Sequence, residues 1–226
     1  MRPLGEALAA AGFPVRAVGL AGHATTPTDL ARTSWPDWLA SAEEGLAALR
    51  ATAPRVAVCG VSLGALLALL LAARQPADVG AVVCGATPLR LADRRTALLR
   101  SLRWLPPVRR RYAVLQKRGR DISDAAARAA SQTYDVIPLP ALLSLLALRG
   151  VVRRELGRVT QPVLALHGRH DHVAPVSNVA LLRRRLAARH VEAHVLEHSW
   201  HVITEDVERD LVARLTIDFL SRVEAA

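Results

Sequence analysis

Ser62 stands in Gly60-Val61-Ser62-Leu63-Gly64, with a short apolar run before it and a longer one after it. A serine hydroxyl becomes a useful nucleophile only when a neighbouring base takes its proton, and the base needs a third group to orient it. GxSxG between a strand and a helix presents the nucleophile itself. The sharp turn forces the serine into a strained, exposed position, and the flanking glycines let nearby backbone pass closely. The helix that opens at Leu63 aims its N-terminal N–H groups at the same place. The Leu63 N–H is therefore the expected donor to a developing oxyanion. The chemistry this predicts is acyl transfer through a covalent acyl-serine.

The orienting acid is sought at the end of another strand. Asp171 lies in His167-Gly168-Arg169-His170-Asp171-His172-Val173-Ala174-Pro175, just after the apolar run Val163–Leu166. That is the carboxyl end of a parallel strand, where sites form in open α/β sheets. The base is assigned to His201, five residues past the last apolar run, on a loop at the same sheet end. His198 is its competitor on that loop. His167, His170 and His172 are nearer Asp171 in sequence but share its own loop. No Cys/His spacing resembles a zinc site, and the predicted chemistry needs neither metal nor cofactor.

The elements that must carry these residues alternate. Residues Arg2 to Ala11 read as a helix stopping at Gly12. Val15 to Leu20 reads as a strand, followed by a Gly/Thr/Pro-rich loop. Ser34 and Asp37 form a capping-box start for a helix reaching about Thr52. Val56–Cys59, Ala81–Cys84, Val163–Leu166 and Ala193–Leu196 are short apolar strands. Helices follow at Leu63–Arg74, Val176–Ala188 and Asp206–Ser221. Such alternation predicts one α/β domain spanning 1–226, a mostly parallel sheet with helices on both faces. Residues Leu89 to Gly157 break the rhythm with helical patterns and no strand signal, and read as a helical cap insertion (89–157). Its leucines, Leu98, Leu99, Leu102 and Leu105 with Trp104, and Leu139, Leu142, Leu143, Leu145 and Leu146, either line an acyl pocket or pack the cap onto the sheet.

Composition narrows the class further. The chain has 226 residues and 51% hydrophobic content, enough for one sizeable core. No apolar run reaches the roughly 18–20 residues of a membrane span. The start is amphipathic rather than a continuous apolar signal, so the expected location is cytoplasmic. Cys59 and Cys84 are then expected as buried reduced thiols. The net charge of +10 is concentrated: residues 90–154 hold 14 Arg and one Lys against four Asp, a net +11. A basic patch attracts anions, but no interleaved aromatic pattern accompanies it and no nucleic-acid partner is expected.

Several stretches carry a resemblance. Leu4–Phe13, Gly19–Thr26, Trp35–Leu49, Val56–Gly64, Leu166–Pro175 and Ser199–Asp210 resemble the carboxylesterase and monoacylglycerol-lipase-like branch of the α/β-hydrolases, which includes serine aminopeptidase-like sequences. Trp200-His201-Val202-Ile203-Thr204 with Glu208-Arg209-Asp210 resembles the histidine loop of bacterial thermostable carboxylesterases. The resemblance implies the α/β-hydrolase fold and a triad of Ser62, Asp171 and His201, in the family's order Ser, Asp, His. It also implies one oxyanion donor at Leu63 and a small-molecule ester as substrate. Peptidase, thioesterase or acyltransferase chemistry on the same triad is the alternative. Gly19-Leu20-Ala21-Gly22-His23-Ala24 corresponds to the family's Gly-His-Gly loop, with Ala24 at the final glycine and His23 as a structural loop residue.

One departure stands out. The family's opening core strand and its His-Gly loop, which gives the second oxyanion N–H, have no counterpart here. That strand belongs between Val15–Leu20 and Val56–Cys59, so its absence is expected to leave sheet edges unpaired. Two readings follow: a start site upstream of Met1, or a shortened relative with an impaired oxyanion hole.

Overall fold

A computed structural model describes residues 1–93, 114–116, 119–131 and 135–224. Its sheet is built from β1 (Val56–Val61), β2 (Val79–Gly85), β5 (Val163–Gly168) and β6 (Val191–Leu196). They lie in the order β1-β2-β5-β6, all parallel. Every residue of β2 and β5 is buried. A strand covered on both faces needs apolar side chains at every position rather than alternating ones, which these two sequences supply.

Alternate residues serve opposite layers. Val82, Cys84, Val163 and Ala165 face one core with α3 (Trp35–Arg50), α4 (Leu63–Arg74), α6 (Leu139–Glu155) and α7 (Ser177–Arg185). Ala81, Val83, Leu164 and Leu166 face the other, with α1 (Arg2–Ala10) and α8 (Arg209–Glu224). Helix α4 is apolar on all sides, and Ala65 through Ala73 are buried, as a helix sandwiched between sheet and neighbours must be. Helix α3 opens as expected. The Ser34 N–H and hydroxyl both donate to the Asp37 carboxylate, at 2.8 and 2.9 Å.

Three readings of the sequence change. Val15–Leu20 forms no strand. It runs beside α3, where Val18 packs against Gly45, with Val15 and Val18 about two-fifths exposed. A ladder needs a partner, and among the described residues no strand lies against it. β1 is correspondingly an edge strand with Ala57 exposed. The expected insertion, residues 89–157, also contains strands: β3 (Val114–Gln116) and β4 (Val136–Pro138) pair antiparallel. Three-residue strands are too short to show a period, which is why the sequence hid them. Finally, α6 joins the main helix layer, where Leu148 and Val152 are buried in the same core as α4. Of the leucines expected to line or pack the cap, Leu139, Leu142 and Leu146 are buried on α6, and Leu143 and Leu145 are half-buried. Leu98, Leu99, Leu102, Trp104 and Leu105 lie outside the described residues.

Cys59 and Cys84 are free thiols on adjacent strands. Burial pushes the Cys84 thiol up to about 12, which keeps it protonated and unreactive. Among the described residues no helix is long and apolar enough to cross a membrane.

Candidate active site

Ser62 ends the β1 turn with φ 54° and ψ −114°, a conformation that costs an L-residue of order 1–3 kcal/mol and persists only where its surroundings hold it. Two contacts do so. The Ser62 N–H donates to the Gly85 carbonyl at 2.9 Å, and the Ser62 carbonyl accepts from Ala65 N–H at 3.0 Å. Gly60 makes the turn sterically feasible. A methyl there would overlap the Gly64 carbonyl and sit 2.7 Å from Ala65 N. Leu63 N–H belongs to the first turn of α4, whose N–H groups have no acceptor within the helix.

The structure brings the predicted base to this serine. His201 Nε2 is 2.8 Å from Ser62 Oγ, and its Nδ1 is 2.7 Å from Asp171 Oδ2. The pair of distances fixes the tautomer that works: Nδ1–H donates to Asp171, and the Nε2 lone pair accepts from the serine hydroxyl. The competitor His198 is exposed, and its backbone N–H donates to Glu208 instead. His170 and His172 are also exposed. His23 Nδ1 sits 3.1 Å from the Ala21 carbonyl, and its ring meets Trp38 edge-on, a loop-building role.

Asp171 is held from every side. Its Oδ1 accepts the Val173 and Ala174 N–H groups at 2.8 and 2.7 Å. Its Oδ2 faces His201 and also His167 Nε2, at 3.2 Å. Four donors saturate the acceptor sites of one carboxylate. Burial alone raises this group, but the hydrogen bonds from His167 and His201 outweigh it and hold Asp171 well below the ordinary carboxylate range. His167 is buried and shares its ring N–H with the Ala174 carbonyl at 2.9 Å. Sequence reasoning set His167 aside because it lies on the acid's own loop. Its position at the end of β5, four residues before Asp171, was the signal.

Asp206 is a second residue that sequence reasoning missed. It is fully buried and collects N–H groups from Ser123, Asp124 and Trp200, at 3.0, 3.0 and 2.8 Å. Burial again opposes ionisation, and the Ser123 hydroxyl with these backbone donors reverses the effect, lowering the group. No group of three or more His, Cys, Asp or Glu side chains among the described residues is arranged to hold a metal.

A parallel sheet with a strained GxSxG turn between β1 and α4, and an acid and a histidine on loops at the strands' carboxyl ends, defines an α/β-hydrolase fold. The chain belongs to the serine aminopeptidase, S33 family of that fold, whose model matches residues 1–208. It is similar to the thermostable monoacylglycerol lipase of Bacillus sp. (strain H-257), 31% identical over 225 residues, covering 98% of this chain and 85% of that protein. It is 25% identical to a carboxylesterase of Bacillus subtilis (strain 168), covering 99% of this chain and 87% of that one. Among solved structures, one from the metagenome-derived lipolytic enzymes LipS and LipT superimposes with a TM-score of 0.91 at 29% identity, covering 98% of this chain and 87% of that one. The monoacylglycerol lipase of Paleococcus ferrophilus, at 22% identity, shares the fold with a TM-score of 0.82, covering 97% and 88%.

Proposed function

We propose that this chain hydrolyses carboxylic esters through an acyl-Ser62 intermediate, with His201 as base and Asp171 as its orienting acid. The observation that carries the reading is the unbroken chain of hydrogen bonds Asp171–His201–Ser62 at a strained turn. Ser62 Oγ attacks the ester carbonyl carbon while His201 Nε2 takes the hydroxyl proton. The Leu63 N–H, at the positive end of α4, donates to the oxyanion. As the intermediate collapses, the ester C–O bond breaks and His201 returns the proton to the departing alkoxide. Water, losing a proton to the same imidazole, then attacks the acyl carbon; the acyl–Oγ bond breaks, His201 returns the proton to Ser62 Oγ, and the carboxylic acid leaves. Asp171 stays ionised throughout and holds the imidazole in its productive tautomer.

The names of the similar proteins support a carboxylic ester such as a monoacylglycerol as substrate. We assign the described segment 119–124, within the expected insertion 89–157, to a strap across the site's loops. In support, residues 121–124 bond directly to the loops bearing Asp171 and His201. A panel of p-nitrophenyl esters, a monoacylglycerol and matched anilides, run beside Ser62→Ala, tests the reading. Ester turnover that vanishes in Ser62→Ala is expected. Retained turnover in that variant overturns the assignment, and preference for the anilide overturns the substrate class.

A further inference from the structure

The loops that carry Asp171 and His201 come from different strands, and the productive geometry depends on their separation. One cap residue touches both. The Asp121 carboxylate accepts the His172 N–H at 2.9 Å through Oδ2 and lies 2.7 Å from His172 Nδ1 through Oδ1. His172 is the residue next to Asp171. The Asp121 carbonyl oxygen accepts the N–H groups of both His201 and Val202, each at 3.1 Å. The same short segment is pinned again two residues later. Buried Asp206 holds the Ser123 and Asp124 N–H groups on one side and the Trp200 N–H on the other. Ile122 between them is fully buried.

We propose that Asp121 is a positioning residue that sets the spacing between the acid loop and the histidine loop. The inference rests on the roles given to Asp171 and His201 above. Its side chain fixes the segment to the acid loop, and its main chain fixes the same segment to the histidine loop. Neither contact reaches the substrate. The carbonyl contact exists in any residue at this position, but only a side-chain acceptor ties it to His172. Asp121 side chain is 14% exposed while His172 is 64% exposed, so the tie is anchored from the buried partner. Shortening the side chain releases the acid loop from a segment that the main chain still holds to the histidine loop. The spacing between them is then no longer fixed, and misplacement of a catalytic group by about 1 Å costs on the order of 10²-fold in rate.

Asp121→Ala is predicted to lower kcat on p-nitrophenyl butyrate by about 10- to 100-fold, with KM nearly unchanged. The low-field NMR proton of the Asp171–His201 hydrogen bond is expected to broaden in the folded variant. Asp121→Asn keeps one oxygen for the His172 N–H, so it is expected to lose several-fold, and it decides the matter if the alanine variant does not fold. Thr26→Ala, which removes only the N-cap of α2 (Pro27–Arg32), supplies a destabilised reference with kcat intact. Folded Asp121 variants with the native kcat and native low-field proton overturn the proposal. Ser62→Ala in the same assay separates the two claims. If it retains turnover, the triad reading fails. If it is inactive while Asp121→Ala is fully active, the positioning role of Asp121 alone fails.

Discussion

Gly168 and Trp200 touch backbone to backbone. A methyl group added at Gly168 would overlap the Trp200 carbonyl oxygen and approach the Ser199 carbonyl oxygen to 2.5 Å. The loop that presents His201 therefore crosses the end of β5 at a height only glycine permits. Neither side of the contact is a flexible side-chain tip, so the loop must lift. Gly168→Ala is predicted to cut kcat by about 10²-fold, more than its loss of thermal stability explains. A variant with native kcat and a lowered melting temperature would show that the loop position does not matter to the reaction.

Ser62 holds its left-handed backbone at a cost. Ser62→Ala and Ser62→Gly both delete the hydroxyl and its bond to His201, and both should be inactive. Only glycine also relieves the φ of 54°. Urea unfolding is expected to find Ser62→Gly more stable than Ser62→Ala by about 1 kcal/mol. Equal stabilities would mean that the turn stores no strain.

Much of this was legible in the chain. The apolar runs of β1, β2, β5 and β6 are each found within two residues of their predicted bounds. β2 and β5 are fully buried and largely apolar, and the half-buried β1 and β6 keep enough apolar residues to be read the same way. Ser62 was marked by the glycines its turn requires. Asp171 and His201 were marked by position after a strand, although His198 could be set aside only once the distances were known. The Val15–Leu20 reading failed because a strand is defined by its neighbour, which no local pattern reports. Asp121 and Asp206 were invisible for a related reason. Their partners lie 51 and 83 residues away, and their contacts join loops that only the fold brings together.

Asp171 makes a pH prediction with a definite sign. Its folded value is depressed below the unfolded carboxylate value of about 3.9, so its stabilising contribution is fully present above that pH. It is lost as pH falls through the folded value. Native protein should therefore lose stability more steeply than Asp171→Asn below about pH 4, read by urea midpoints along a pH series. The asparagine variant should also lose about 10⁴-fold in kcat at neutral pH, because the wrong imidazole tautomer is favoured. Parallel pH slopes for the two proteins would contradict the ionised assignment.

Ala24 follows His23 in the loop after Leu20 with a φ of 57°, a left-handed conformation that favours glycine. A left-handed alanine costs about 1–2 kcal/mol, partly offset by the entropy glycine loses on folding. Ala24→Gly should stabilise the protein by about 0.5–1 kcal/mol without changing ester turnover. A fall in melting temperature would show that the loop relaxes differently from the structure described.

Ser62 stands at the end of the hydrogen-bonded chain Asp171–His201–Ser62, the arrangement proposed to activate it. The most direct test is reaction with a fluorophosphonate probe, read by intact mass with Ser62→Ala as control. One adduct per chain is expected, located on Ser62 and absent from the alanine variant, with slow labelling of His201→Ala. Folded native protein that takes up no probe, or labels equally without Ser62, would contradict it.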